Sequence, residues 1–253
     1  HTPPPPPPPP ATTSPPATLN DGLNNSSKLT FNYADEVRGE IEIDSDNNVV
    51  VGTCTRSKDF PTLNPIQPIL SSGLEGCIFK LDRHLSNIIW STYFGGSGDD
   101  CIYSVDFNRN NDIVFGGGTT SSDLNTTPSA FQQSYNSSNA LSPDGFITTI
   151  DNNADSILFS TYFGTDLYDQ VFFIDVTKND QVHVLGQTND TSNFFIKNST
   201  ISTQKSGQFI STLSSSLSSL IRSSAVGSGK GTPDISPTAF MVDLCNSYYL
   251  SGW

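Results

Sequence analysis

Trp90-Ser91-Thr92-Tyr93-Phe94-Gly95 and Phe159-Ser160-Thr161-Tyr162-Phe163-Gly164 are identical at five of six positions. The agreement continues outward. Cys77-Ile78-Phe79-Lys80-Leu81-Asp82 lines up with Phe146-Ile147-Thr148-Thr149-Ile150-Asp151 and with Phe209-Ile210-Ser211-Thr212-Leu213. A polar turn residue, an apolar run and small residues recur at 48–54, 112–118, 180–186 and 246–252, with ends 64, 68 and 66 residues apart. A signature that returns with its flanks is an internal repeat, and a repeat decides the architecture before any local propensity does.

Each unit holds four short apolar segments, near 77–82, 89–95, 101–107 and 112–118 in the second copy. Glu40, Glu42 and Asp44 alternate with Ile41 and Ile43, and Phe172, Ile174 and Val176 share one face, the period of a strand. Turn chemistry separates the segments at Asp46-Asn47-Asn48, Asn108-Arg109-Asn110-Asn111 and Asn152-Asn153-Ala154-Asp155. No stretch keeps a helical period. A four-stranded meander repeated at this spacing predicts an all-β chain of β-propeller-type blades over 28–253, about three and a half of them.

Ser91-Thr92-Tyr93-Phe94-Gly95-Gly96-Ser97-Gly98-Asp99-Asp100, then Gly117-Gly118-Thr119-Thr120-Ser121-Ser122-Asp123 and Ala130-Phe131-Gln132, resemble the SBBP (seven-bladed β-propeller) repeat. Arg56-Ser57-Lys58-Asp59-Phe60-Pro61-Thr62 carries the signature one unit earlier, and Gly227-Ser228-Gly229-Lys230 departs from it. The resemblance implies a secreted or surface propeller embedded in a larger adhesin-like protein, with no shared catalytic residues. Seven blades at this spacing need roughly 450 residues, so the ring is expected to stay incomplete within this chain. Further sequence of a longer polypeptide, or a neighbouring chain, would then cover the open edge.

The 253 residues carry a net charge of −13, which disfavours a phosphate backbone as partner. No apolar run approaches the roughly 20 residues of a membrane helix. The chain opens at His1 without a signal pattern, which reads as a processed or excised piece. Cys54, Cys77, Cys101 and Cys245 lack C-x-x-C spacing; three full pairings and free thiols all remain open.

Residues 1–27 form a separate arm. Pro3, Pro4, Pro5, Pro6, Pro7, Pro8, Pro9 and Pro10 are contiguous and predict a polyproline II rod roughly 25 Å long. A stiff spacer is the plain reading. With Thr12, Thr13 and Ser14, the prolines are also candidate sites for hydroxylation and O-linked sugars.

Chemistry-bearing residues are sparse. His1, His84 and His183 have no metal-spaced companions. Asp44-Ser45-Asp46-Asn47-Asn48 opens like a calcium loop but lacks its glycine and distal glutamate. Asp99-Asp100 reads as turn chemistry within the repeat. Nucleophile-elbow, phosphate-loop and dinucleotide motifs do not occur. Six N-x-S/T sequons stand at Asn24, Asn25, Asn125, Asn136, Asn189 and Asn198, and the last four fall in segments read as connectors between blades, on one face of the ring.

These readings predict a non-catalytic, glycosylated structural or adhesive module at the cell surface or in a secreted filament, coat or matrix. Its expected partners are further copies or neighbouring subunits, with no cofactor, nucleic acid or membrane insertion. The alternatives are carbohydrate binding through Trp90, Tyr93 or Tyr135 as stacking surfaces, and a polysaccharide-active enzyme, for which only the scaffold speaks.

Overall fold

A computed structural model describes residue 29 and residues 39–71, 73–137 and 142–252. The proline arm with Thr12, Thr13 and Ser14, and the sequons at Asn24 and Asn25, lie outside the described residues. Among the described residues the chain is all-β, without a helix. Its strands are β1 (Glu40–Ile43), β2 (Val49–Thr55), β3 (Glu75–Leu81), β4 (Ile88–Phe94), β5 (Asp100–Phe107), β6 (Ile113–Thr119), β7 (Asp144–Ile150), β8 (Ile157–Phe163), β9 (Asp169–Val176), β10 (Val182–Thr188), β11 (Gln208–Leu213), β12 (Leu220–Val226), β13 (Pro237–Val242) and β14 (Tyr248–Gly252). They form three four-stranded antiparallel meanders, β1–β4, β5–β8 and β9–β12, and the hairpin β13–β14.

The strands stand where the repeat puts them, but the sheets break at a different phase. The repeat predicts one sheet made of strands 77–82, 89–95, 101–107 and 112–118. Instead β3 and β4 close the first sheet, and β5 and β6 open the second. Periodicity fixes the length of a unit and leaves its starting point free. The break falls at the short crossings 95–99 and 164–168, which look like hairpin turns in the sequence. The long segments 56–74, 120–143 and 189–207 therefore lie within sheets, between second and third strands, and not between sheets as expected.

Turn chemistry explains the hairpins. Asn47, Asn111, Asp180 and Asn246 take φ of 65°, 67°, 58° and 60° at the fourth position of the first turn in each sheet. In the first of these, Asp44 Oδ1 accepts the amides of Asp46 and Asn48 at 2.9 and 2.7 Å. This is a type I turn followed by a left-handed residue, where Asn and Asp are tolerated best.

Successive sheets stack face to face. Val50, Ile78, Trp90 and Phe94 of the first meet Ile102, Val105, Phe115 and Phe146 of the second. Ile147 and Phe163 of the second meet Val171, Ile174, Phe209 and Leu213 of the third. The first strands also bond to one another: the amides of Val105, Ile174, Val176 and Val242 donate to Glu40 Oε2, Ser104 Oγ, Asp106 Oδ2 and Asp175 Oδ2 at 2.9, 2.8, 2.6 and 3.0 Å. A third cluster gathers beside them, with Tyr103 stacked on Phe172 at 5.1 Å and Leu29, Cys54, Cys101 and Leu185 around it.

The outer edge of each fourth strand is covered by its own sheet's long connector. Leu63 bridges Ser91 and Gln67 bridges Tyr93, and Lys197 bridges Ser223 in the third sheet. In the second sheet the amides of Thr127 and Tyr162 donate to Ser160 O and Gln132 O, both at 3.0 Å. An exposed edge is a template for unwanted pairing, and these half-strands occupy it.

Candidate functional site

The long connectors and the crossings share one end of the stack, and their contacts run continuously. In the first sheet, Gln67 accepts from Gly95 N at 3.0 Å and donates to Glu75 Oε1 at 2.5 Å. Gln132 repeats the device with Gly164 N and Asp144 Oδ2 at 3.0 and 3.2 Å. Ser97 N donates to Asp123 Oδ1 at 2.9 Å, which ties the first crossing to the second connector. Asn189 N donates to Tyr168 O at 2.8 Å and does the same one sheet on.

The four described sequons are exposed in these connectors. Asn136 lies beside the crossing at Gly164, its Nδ2 donating to that carbonyl at 3.4 Å. Asn198 differs from the expectation of one shared face. It lies along the outer edge of β12, where its Nδ2 donates to Ile221 O at 2.9 Å.

Beneath this end sits a row of buried acids. Asp100 accepts from Gly96 N at 2.8 Å, Thr119 Oγ1 at 2.5 Å and Ser121 Oγ at 2.7 Å. Asp169, at the same position one sheet later, accepts from the amide and hydroxyl of Thr165 at 2.6 and 2.7 Å. Asp144 accepts from Gln132 and Asn136 on one oxygen, while Oδ1 has no partner. Burial pushes Asp100 and Asp144 up to about 7 and Asp169 up to about 6, against the pull of these donors. A second row, Glu42, Asp106 and Asp175, occupies one position on β1, β5 and β9. Burial raises all three, Asp106 to about 7, and neighbouring carboxylates add to it at Glu42 and Asp106. Of Asp99-Asp100, Asp100 is fully buried beneath the crossing, and the amide of Asp99 donates to Thr120 Oγ1 at 2.8 Å.

The remaining singled-out residues are occupied structurally. Asp44 forms a buried ion pair with Lys80 at 2.6 Å. Burial alone would raise that carboxyl, yet Lys80 and Asn48 hold it below the usual carboxylate range. The ammonium sits where a calcium ion would have to go. His84 is exposed in the β3–β4 turn. His183 is buried; the repeat read it in the frame of Phe115, whereas its pairing with Thr212 and Asp175 puts it level with Val114, on the opposite face. Its Nδ1 lies 3.0 Å from both Tyr248 Oη and Thr212 Oγ1, and burial with the Arg222 charge lowers it to about 4. Cys54, Cys77 and Cys101 are buried and Cys245 is exposed, all as thiols. Among the described residues no three His, Cys, Asp or Glu side chains are arranged to hold a metal ion.

Trp90 and Tyr93 are each 1% exposed and have no face for a sugar. Trp90 Nε1 donates to Asn152 O at 3.0 Å across the first seam, and Tyr93 Oη donates to Ser57 O at 2.7 Å under the connector. Tyr135 is half-buried, its ring 5.9 Å from that of Tyr162.

One open groove of about 430 Å³ escaped the sequence reading. It lies on the third sheet's far face, lined by Ile210, Arg222, Ser224, Val226 and Tyr248 with the connector at 198–201. Arg222-Ser223-Ser224-Ala225-Val226-Gly227 takes the place of the Trp90 and Phe159 signatures, as the pairing of Thr212 with Arg222 and of Lys80 with Trp90 shows. Aligning strands by pairing position, and not by identity, would have found it. No family model matches the chain, and a search of curated proteins finds none similar to it.

Proposed function

We propose that the chain is a non-catalytic structural module of an extracellular assembly, its sheets the blades of an incomplete β-propeller carried behind a proline rod. One observation carries the reading: the repeated polar side chains are engaged in the framework, Gln67, Gln132, Asp100 and Asp169 pinning connectors and crossings to their sheets and Asp106 and Asp175 bonding to the first strand of the next sheet. A catalytic centre needs convergent polar groups left free for a substrate. Exposed sequons in the connectors support a glycosylated surface, which suits a secreted or cell-surface coat, matrix or filament.

Deletion of residues 1–20 tests the assembly role. Self-association followed by light scattering should weaken while the β-type circular dichroism stays the same; unchanged association would overturn it. Intact mass before and after glycosidase treatment reads the sugars, and an unshifted mass removes them from the proposal. The Arg222 groove supports carbohydrate binding as a second reading, with an acidic glycan as the fitting ligand. A glycan array on the Arg222→Ala variant separates the two.

A further inference from the structure

We infer that Cys54 and Cys101 are a disulfide pair that staples the first sheet to the second. Cys54 ends the row Val50, Gly52, Cys54 that β2 turns toward the second sheet, and Cys101 is the second residue of β5. Both are buried in the same cluster beside the first strands, and Cys54 is among the groups that raise the Cys101 thiol. The next seam shows independently that these positions meet. Gly118 stands where Cys54 does and Gln170 where Cys101 does, and a Cβ on Gly118 would lie 3.1 Å from Gln170 Cγ. The other cysteines are placed elsewhere. Cys77 pairs with Thr53, so its side chain leaves the opposite face of the first sheet. Cys245 is exposed in the β13–β14 turn.

The oxidant required is a small disulfide such as oxidised glutathione. One cysteine thiolate attacks a sulfur of that disulfide and expels a glutathione thiolate, leaving a mixed disulfide. The second cysteine thiolate then displaces the remaining glutathione. Two protein thiols are oxidised, one glutathione disulfide is reduced, and the two released protons reside on the two glutathione thiols. In the closed seam burial raises the Cys101 thiol well above its ordinary range, which starves the exchange of thiolate. Bond formation therefore belongs to the folding chain, before the two sheets close.

The test folds the full chain in a glutathione redox buffer and, in parallel, under reductant. Each sample is alkylated in denaturant and mapped by mass spectrometry without reduction. The redox potential is set by the buffer, so the outcome does not depend on the extracellular reading. The redox-folded sample should yield a linked peptide pair containing residues 54 and 101, with Cys77 and Cys245 alkylated. Its unfolding midpoint should exceed that of the reduced sample by several degrees. Cys77→Ala should leave the linkage in place. Cys54→Ala, a small residue where the second sheet has glycine, should fold, lose the linkage and free Cys101 for alkylation. Four alkylated cysteines in redox-folded protein, or a cross-link through Cys77, would overturn the assignment.

Discussion

Single carboxyl groups set the response of this fold to pH. Asp100, Asp106 and Asp144 are pushed up to about 7 and Asp169 to about 6, chiefly by burial. A carboxyl that binds its proton more tightly in the folded than in the unfolded chain contributes stability in full below its unfolded pKa. That contribution fades as the pH climbs through the folded value. The window here opens near the ordinary aspartate range and closes at about pH 7. The unfolding midpoint should therefore be higher near pH 5 than near pH 8. Asp144 is the sharpest probe, because its Oδ1 is buried without a partner, as is that of Asp169, and burial pushes Asp144 the higher of the two. Asp144→Asn should reduce the loss between those two conditions by on the order of 1–2 kcal/mol in urea titrations. An unchanged pH profile in the variant would show that Asp144 stays ionised in the folded protein. His183 moves the other way, to about 4, and so remains neutral across this window.

At the scale of strands, the repeat was legible because packing needs the same residue type at the same place in every sheet. Trp90 and Phe159 sit on faces that meet the next sheet, and Tyr93 and Tyr162 anchor connectors by donating to Ser57 O and Ser121 O. The phase of the sheets was not legible, since a five-residue crossing and a hairpin turn draw on the same Gly, Ser and Asp. The His183 frame slipped because matching Asp180 to Asp112 spaces the units 68 residues apart, whereas the left-handed turn residues Asn111 and Asp180 space them 69 apart, and a one-residue shift reverses the face of every side chain. The bulges in the first strands have a marker of another kind. Between first and second strands, register shifts fall at Ile102/Ser104 in β5, Leu185/Gly186 opposite β9 and Pro237/Ala239 in β13. Glycine opposes each one, at Gly117, Gly186 and Gly252, and an added Cβ there would collide with the carbonyl oxygen of Cys101, Gln170 or Ser236. In the first sheet Thr53 stands at that place, so a side chain is accommodated there. Gly117→Ala should accordingly cost about 3 kcal/mol or more, because backbone and not a movable side chain must yield. Thr53→Ala, at the matching position where a side chain already fits, should cost about 1 kcal/mol or less. Equal losses in chemical denaturation would remove the bulge as the reason for the glycine.

Across the whole molecule, each sheet is held by its neighbours in the stack, so stability should vary with how many neighbours it has. The second sheet is packed on both faces, and every residue of β6 and β7 is buried. The first sheet is covered on one face only by a following sheet; Ile41 and Ile43, 64% and 60% exposed, point the other way. The β13–β14 hairpin is thinner still, with Met241 and Tyr249 more than half exposed on its outer face. Local opening needs only the contacts of the part that opens, and two strands resting on one sheet have few to lose. Hydrogen exchange followed by mass spectrometry should therefore find amides of β6 and β7 slowest, exchanging about 100-fold or more slowly than those of β13 and β14, with β1 and β2 between them. Pairing alone cannot produce that order, because β13 and β14 are hydrogen-bonded to each other as regularly as β5 is to β6 apart from the bulge. Only burial between sheets distinguishes them. A single rate shared by all four sheets would mean that the stack opens as one cooperative unit, and the nearest-neighbour account would fail with it.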